Sequence, residues 1–376
     1  MKNKRTILTV LLVCTLLLAA FTSGCGAAKE TTGKETTGKE TKQETVTETV
    51  QETGGTEAVQ TGAVTFTDDL GREVTVENPK RVISLIASYA DIWYLAGGVD
   101  TLVGTTNATW TYFDLPFRED IVNLGSSKEL NQEQLLACEP DFVLASCGTD
   151  RNVELETFFE EAGLNVAYFS VNSFEDYLRV LKICTMITGC EDNYTAYGTN
   201  VEKEVDEALS RVDGREPTVL YVRASGKSCK VKNSEGSVLG EMLADMGCVN
   251  IADSNDSLLE QLSMEVILKE DPEYIFVVLQ SEDPAEAEKV LEDTLLCNPA
   301  WNTLTAVKEG RYYVMDSNLY NMKPDARWGE AYEQLADILY PQEYIFFAGR
   351  IWYIADRGNC DKPSGRFSED AARSGF

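Results

Sequence analysis

The chain has 376 residues, with 62 acidic and 33 basic side chains, no histidine and a formal charge of −29. So acidic a surface repels nucleic acid and anionic lipid headgroups, which excludes a nucleic-acid binder. Without histidine there is no Ser-His-Asp or Cys-His nucleophile site, no His-based zinc site and no His axial ligand to haem, and no catalytic or metal-ligating set is assigned.

Lys2, Lys4 and Arg5 precede an apolar run from Ile7 to Phe21 and then Thr22-Ser23-Gly24-Cys25. A basic patch, a short apolar core and small residues before a cut site read as a secretory signal over residues 1–24. The apolar run is too short to span a bilayer, which needs about 20 residues. Ser23-Gly24-Cys25 resembles the bacterial lipobox, in which the cysteine is lipidated, with palmitate among the acyl chains, although Thr22 stands where that motif usually has leucine. Cys25 is therefore the expected lipid attachment site, and acyl chains anchor at about 0.8 kcal/mol per buried CH₂. Loss of the signal leaves a charge of −32, because it carries three cations and no acid.

Residues 25–62 repeat Glu-Thr-Thr-Gly-Lys and continue with Thr, Glu, Gln and Gly. Such a segment cannot bury enough apolar surface to offset its chain entropy and is expected to be a disordered tether. As a flexible coil it reaches on the order of 30–35 Å.

Two alternating runs about Gly71, from Val64 to Val76, predict a hairpin. Val82–Leu85, Leu102–Gly104, Phe142–Ala145 and Val166–Tyr168 predict strands, separated by helical patterns such as Tyr89 to Ala96. Strands and helices alternating with short connections mean a mainly parallel sheet flanked by helices. Ser173 and Asp176 form a capping pair that opens a helix running to Gly189. A second apolar stripe, from Tyr194 to Val212, predicts a rod of about 33 Å from Glu191 to Val212. Val219–Val222 and Tyr274–Leu279 then begin a second α/β region that closes with a helix from Trp328 to Leu339. The expected fold class is α/β, with two lobes joined by one long rigid connector helix. Its parts are a first lobe at 63–190, the connector at 191–214, a second lobe at 215–341 and a tail at 342–376 with no assigned role. Eight cysteines outside the signal and lipobox contain no CxxC pair, and they read as free thiols.

The pieces Asp69-Leu70-Gly71-Arg72-Glu73-Val74, Pro79-Lys80-Arg81-Val82-Ile83-Ser84-Leu85, Glu139-Pro140-Asp141-Phe142-Val143-Leu144-Ala145, Asn298-Pro299-Ala300-Trp301 and Arg327-Trp328-Gly329-Glu330-Ala331-Tyr332 occur in that order. Together they resemble the type III periplasmic binding proteins of the iron–siderophore, haem and cobalamin importers, over about Val64 to Pro341. The resemblance implies two lobes, small closure on binding, no enzymatic activity and no cofactor. It implies a monomer tethered outside the cell membrane, delivering a small molecule to ABC permease subunits with a separate ATPase. It also implies one docking glutamate per lobe, which falls on Glu133 and Glu265. Both are equally the acidic residues that a helix N-terminus favours.

A cleft between the lobes is the expected ligand site, lined by candidates Ser88, Tyr89, Trp110, Tyr112, Cys147, Arg223, Tyr320 and Arg327. Several of these could equally be packing or capping residues. A chelated metal or corrinoid is a large, partly apolar body that suits an aromatic cleft with a few polar groups. An arginine there favours an anionic ferric siderophore, while haem bound through a tyrosine, or cobalamin, is the alternative. A cell-surface enzyme and an adhesion module are the readings from other classes. Gly226-Lys227-Ser228 does not make a phosphate loop, because Tyr221 stands where that loop needs its first glycine.

Overall fold

The computed structural model of the chain describes residues 62–281 and 283–342, and the backbone of 344–347 and 350–353. Cys25, the signal and almost all of the tether therefore lie outside the described residues, as does most of the tail. The described part begins with the predicted hairpin, β1 (Val64–Thr67) antiparallel to β2 (Glu73–Val76). Its turn is organised by Asp68, whose carboxylate accepts the N–H groups of Leu70 and Arg72 at 3.1 and 3.0 Å and the Arg72 guanidinium at 2.6 Å. Gly71 takes the left-handed conformation, φ +79°, that closes the turn.

The first sheet is built from β3 (Val82–Ser84), β4 (Leu102–Thr105) and β5 (Val122–Asn123). Helices α1 (Ala87–Leu95) and α2 (Ala108–Tyr112) leave β3 and β4. A small pair, β6 (Gly125–Ser126) and β7 (Glu129–Leu130), leads to α3 (Gln132–Ala137) and β8 (Phe142–Ser146). After α4 (Asp150–Glu154) and α5 (Glu156–Glu161) comes β9 (Val166–Phe169). The order β5-β4-β3-β8-β9 is parallel throughout.

Helix α6 (Phe174–Thr188) carries the predicted capping box, Ser173 with Asp176, and ends on Gly189 at φ +73°. The expected connector from Glu191 to 214 differs in form. It runs as α7 (Glu191–Tyr194), a π-helical turn at Thr195–Thr199 and α8 (Asn200–Leu209). The π turn sits where Gly198 is buried against Tyr194: a Cβ on Gly198 would meet that ring at 3.0 Å. The helix is continuous from Glu191 to Leu209, and Tyr194 and Tyr197 before the turn's end pack on the same core as Val201, Val205 and Ala208 after it.

The second sheet starts with β10 (Thr218–Ser225), antiparallel β11 (Cys229–Lys232), α9 (Val238–Asp245) and β12 (Val249–Asn250). It continues through α10 (Asp256–Glu260), α11 (Met264–Glu270), β13 (Tyr274–Gln280), α12 (Pro284–Leu291), α13 (Thr305–Lys308) and β14 (Tyr312–Met315). The order is β11-β10-β13-β14, with β12 also beside β10. Gly226 and Lys227 lie in the β10–β11 connection, so no helix follows them as a phosphate loop requires. Helices α14 (Ser317–Tyr320) and α15 (Trp328–Leu339) complete this half, and β15 (Tyr344–Phe347) pairs antiparallel with β16 (Arg350–Tyr353).

Strand periodicity sorts the core. In β8, Phe142 and Leu144 face one side of the sheet and Val143 and Ala145 the other; in β13, Tyr274, Phe276 and Val278 oppose Ile275 and Val277. The outward faces pack into two separate clusters, one per half. The inward faces share one continuous core that runs through Phe174 and Tyr177 of α6 and Trp328 of α15. This shared core fixes the position of α1 against the segment between α14 and α15, and the cleft lies there.

Candidate ligand-binding site

A cleft of about 270 Å³ opens between the two halves. The first half supplies Asp91 and Leu95 from α1, and Tyr112, Phe113 and Asp114 at the end of α2. The second half supplies Asn318 and Met322 to Arg327, apart from Asp325, which lies behind the wall. The first half thus brings two aromatic rings and two carboxylates, Asp91 and Asp114, and the second brings the cations Lys323 and Arg327 with Asn318.

The floor is an unusual set of ionisable groups. Asp325 is fully buried and adopts a left-handed backbone, φ 52°, costly for a residue with a Cβ. Neither of its carboxyl oxygens has a donor among the described residues. Its neighbour across the two halves is the Asp91 carboxyl. Two carboxylates cannot hydrogen-bond until one of them holds a proton, and burial together with the negative Asp91 pushes Asp325 well above the usual carboxylate range. A proton held on Asp325 would satisfy the pair by donating to Asp91. Burial also lowers the Lys323 ammonium to about 8, helped by Arg223 and opposed by Asp325 and Asp176.

The sequence candidates divide. Tyr112 and Arg327 line this cleft. Arg327 is held by Glu330 through two hydrogen bonds, of 2.7 and 2.9 Å. Ser88 and Tyr89 are buried in α1, and the Tyr89 hydroxyl donates to the Phe169 carbonyl at 2.9 Å. Tyr320 is also buried and donates to the Ala331 carbonyl at 2.9 Å. Arg223 is half-buried and reaches the Asn321 side chain at 3.5 Å. Cys147 is half-buried, its thiol pushed up by burial and by the nearby Asp69. Trp110 is 43 % exposed and packs on Phe117, with ring centroids 5.2 Å apart. None of these six lines the cleft. Asp91, Lys323 and Asp325 are the groups that sequence reasoning missed. Among the described residues no group of three or more His, Cys, Asp or Glu side chains could hold a metal ion.

Residues 82–319 match the family model described as periplasmic binding protein. The chain belongs to the periplasmic binding protein family. Its members are non-enzymatic solute-binding components of transport, and this one is of the type that serves ABC importers of iron–siderophore, haem and cobalamin. The chain is 25% identical over 290 residues to an uncharacterized ABC transporter substrate-binding lipoprotein, YvrC, of Bacillus subtilis, covering 75% of this chain and 87% of the relative. It is 26% identical over 286 residues to a cobalamin-binding protein of Halobacterium salinarum, covering 72% and 74%. Among solved structures it resembles the siderophore binding protein BauB bound to acinetobactin and ferric iron, with a TM-score of 0.59 and 17% identity, covering 73% and 99%.

In this periplasmic binding protein, Glu133 and Glu265 occupy equivalent places. Each is exposed in the first turn of a short helix, α3 or α11. Asn131 and Ser263 cap those helices, accepting from Gln134 N–H at 3.0 Å and Val266 N–H at 3.4 Å. Each helix ends before a proline, Pro140 or Pro272, that leads into a central strand, β8 or β13. Among the described residues no helix is long and apolar enough to cross a membrane.

Proposed function

We propose that this periplasmic binding protein captures a ferric siderophore outside the cell and passes it to an ABC permease driven by a separate ATPase. The observation that carries the reading is the cleft, whose lining combines Tyr112 and Phe113 with Lys323 and Arg327. An iron chelate combines an apolar or aromatic body with oxygen-rich edges, and such a cleft meets both. Cobalamin is the second reading, favoured by the Halobacterium relative; haem is accommodated by the same fold.

The proposal includes the chain's organisation. Cys25 carries the lipid anchor, residues 25–62 form the tether, and lobes at 63–190 and 215–341 are joined rigidly through 191–214. Glu133 and Glu265 dock on permease arginines, each carboxylate able to accept two parallel hydrogen bonds. Metabolic labelling with a tagged fatty acid should mark the parent chain and not Cys25→Ala.

The direct test is fluorescence quenching of the purified protein by ferric siderophores, haem and cyanocobalamin. Saturable one-to-one binding of a ferric siderophore is expected. Tight binding of a free amino acid, a sugar or a divalent ion instead would sink the reading.

A further inference from the structure

We infer that Lys323 recognises an anionic oxygen of the ligand, and that the contact between Asp325 and Asp91 leaves its ammonium free to do so. The inference rests on the reading of the cleft as the ligand site. Lys323 stands on the cleft wall, and among the described residues its ammonium has no hydrogen bond or ion pair. Among the described lysines Lys269 alone forms an ion pair, so it is the place of Lys323 on the cleft wall that sets it apart. Arg72, Arg118, Arg151, Arg179, Arg211 and Arg327 each hold a carboxylate. A largely buried ammonium on a cleft wall, with no hydrogen bond or ion pair of its own, is a position where a ligand anion can complete the charge balance.

The acid that could neutralise Lys323 from within is Asp325. Ionised, it would be a counter-ion to Lys323 and compete with a ligand anion. Its two oxygens lack donors, so its place against Asp91 is satisfied when Asp325 holds the proton and donates it. Asn318 adds direction, since it lines the same cleft with its side-chain oxygen buried and without a donor. A ligand that offers an anionic oxygen to Lys323 and a hydroxyl or N–H to Asn318 satisfies both.

The other charged or titratable groups facing this floor are Asp176 and Tyr177 from α6, Arg223 from β10, Asp114 beyond α2 and Arg327 ahead of α15. Burial draws the proton off Lys323 and Arg223 adds to that, while Asp325, when ionised, and Asp176 hold it on. Rising pH acts twice in one direction: Lys323, lowered to about 8, loses its charge, and Asp325 gains one. Affinity for an anion therefore falls with increasing pH above neutrality.

The experiment titrates the mature chain, Lys323→Gln and Lys323→Arg with two anionic chelates, ferric citrate and a ferric tris-catecholate, and with cationic ferrioxamine B. Haem and cyanocobalamin complete the set, and thermal melts check folding. The parent should prefer the anionic chelates, and Lys323→Gln should weaken them about 10- to 100-fold, as expected for a lost charge-assisted hydrogen bond. Lys323→Arg should retain most of the affinity, and the fall at alkaline pH should shrink in Lys323→Gln to the part that Asp325 contributes. Unchanged affinity in Lys323→Gln, equal losses in both variants, or a parent that prefers ferrioxamine B or cyanocobalamin would overturn this inference alone. A parent that binds none of the five probes would overturn the reading of the cleft and this inference with it.

Discussion

Asp68 lies buried in the turn between β1 and β2, as Asp325 lies buried beneath the cleft. Burial pushes the Asp68 carboxyl up, but hydrogen bonds from Arg72 and from the Arg72 and Tyr168 N–H groups outweigh it and hold it below the usual range. Asp325 has no such donors, so burial and Asp91 prevail. The two titrate with opposite consequences. Asp68 stabilises the fold above its unfolded pKa of about 3.9, and that stability is lost as pH falls through the lowered folded value. Asp325 binds its proton more tightly in the folded chain, so its contribution is complete in acid and declines as pH rises past about 3.9. Asp325→Asn, which keeps a donor for Asp91 without a titrating proton, should therefore gain stability relative to the parent between about pH 5 and pH 8. Urea unfolding at both pH values measures this, and a constant difference would contradict it. None of this was legible in Met322-Lys323-Pro324-Asp325, which has the composition of a solvated loop; the packing of α1 and α15 around it buries the acid. The aromatic Tyr112 and the cationic Arg327 could be found because their residue types suit a ligand wall whatever covers them.

At the level of elements, period and caps were readable and close approaches were not. The alternation in Phe142–Ala145 and Val219–Val222, and the Ser173–Asp176 box, pointed to the strands and α6 directly. The π turn in Thr195–Thr199 left no mark, because Tyr194, Tyr197 and Val201 keep helical spacing across it. Nor does sequence tell why α15 has a glycine in its first turn. A Cβ on Gly329 would lie 2.5 Å from the Glu204 Cβ of α8, so the glycine lets the two helices meet. Alanine there gains about 1 kcal/mol of helix propensity but meets an overpacking cost of about 1–3 kcal/mol. Gly329→Ala should thus melt below the parent, by a few degrees at most; a melting temperature equal to or above the parent's would show that α8 yields freely.

For the whole molecule, the two halves repeat one arrangement: a capped short helix, a proline and a central strand. That repetition places Glu133 and Glu265 alike, and it was visible in the sequence as two copies of one local pattern. Their symmetry matters only if both meet the same kind of partner. A desolvated carboxylate–arginine pair that loses one member costs about 2–5 kcal/mol, so removing both should abolish productive docking. Ligand affinity should be unchanged, because neither residue lines the cleft. The most direct measurement is uptake of a radiolabelled ferric siderophore by cells lacking this chain, supplied again with the parent or with the Glu133→Ala, Glu265→Ala double variant. The account predicts that deletion stops uptake, that the parent restores it, and that the double variant binds the chelate but does not restore it. Undiminished uptake in the deletion, or full restoration by the double variant, would contradict it.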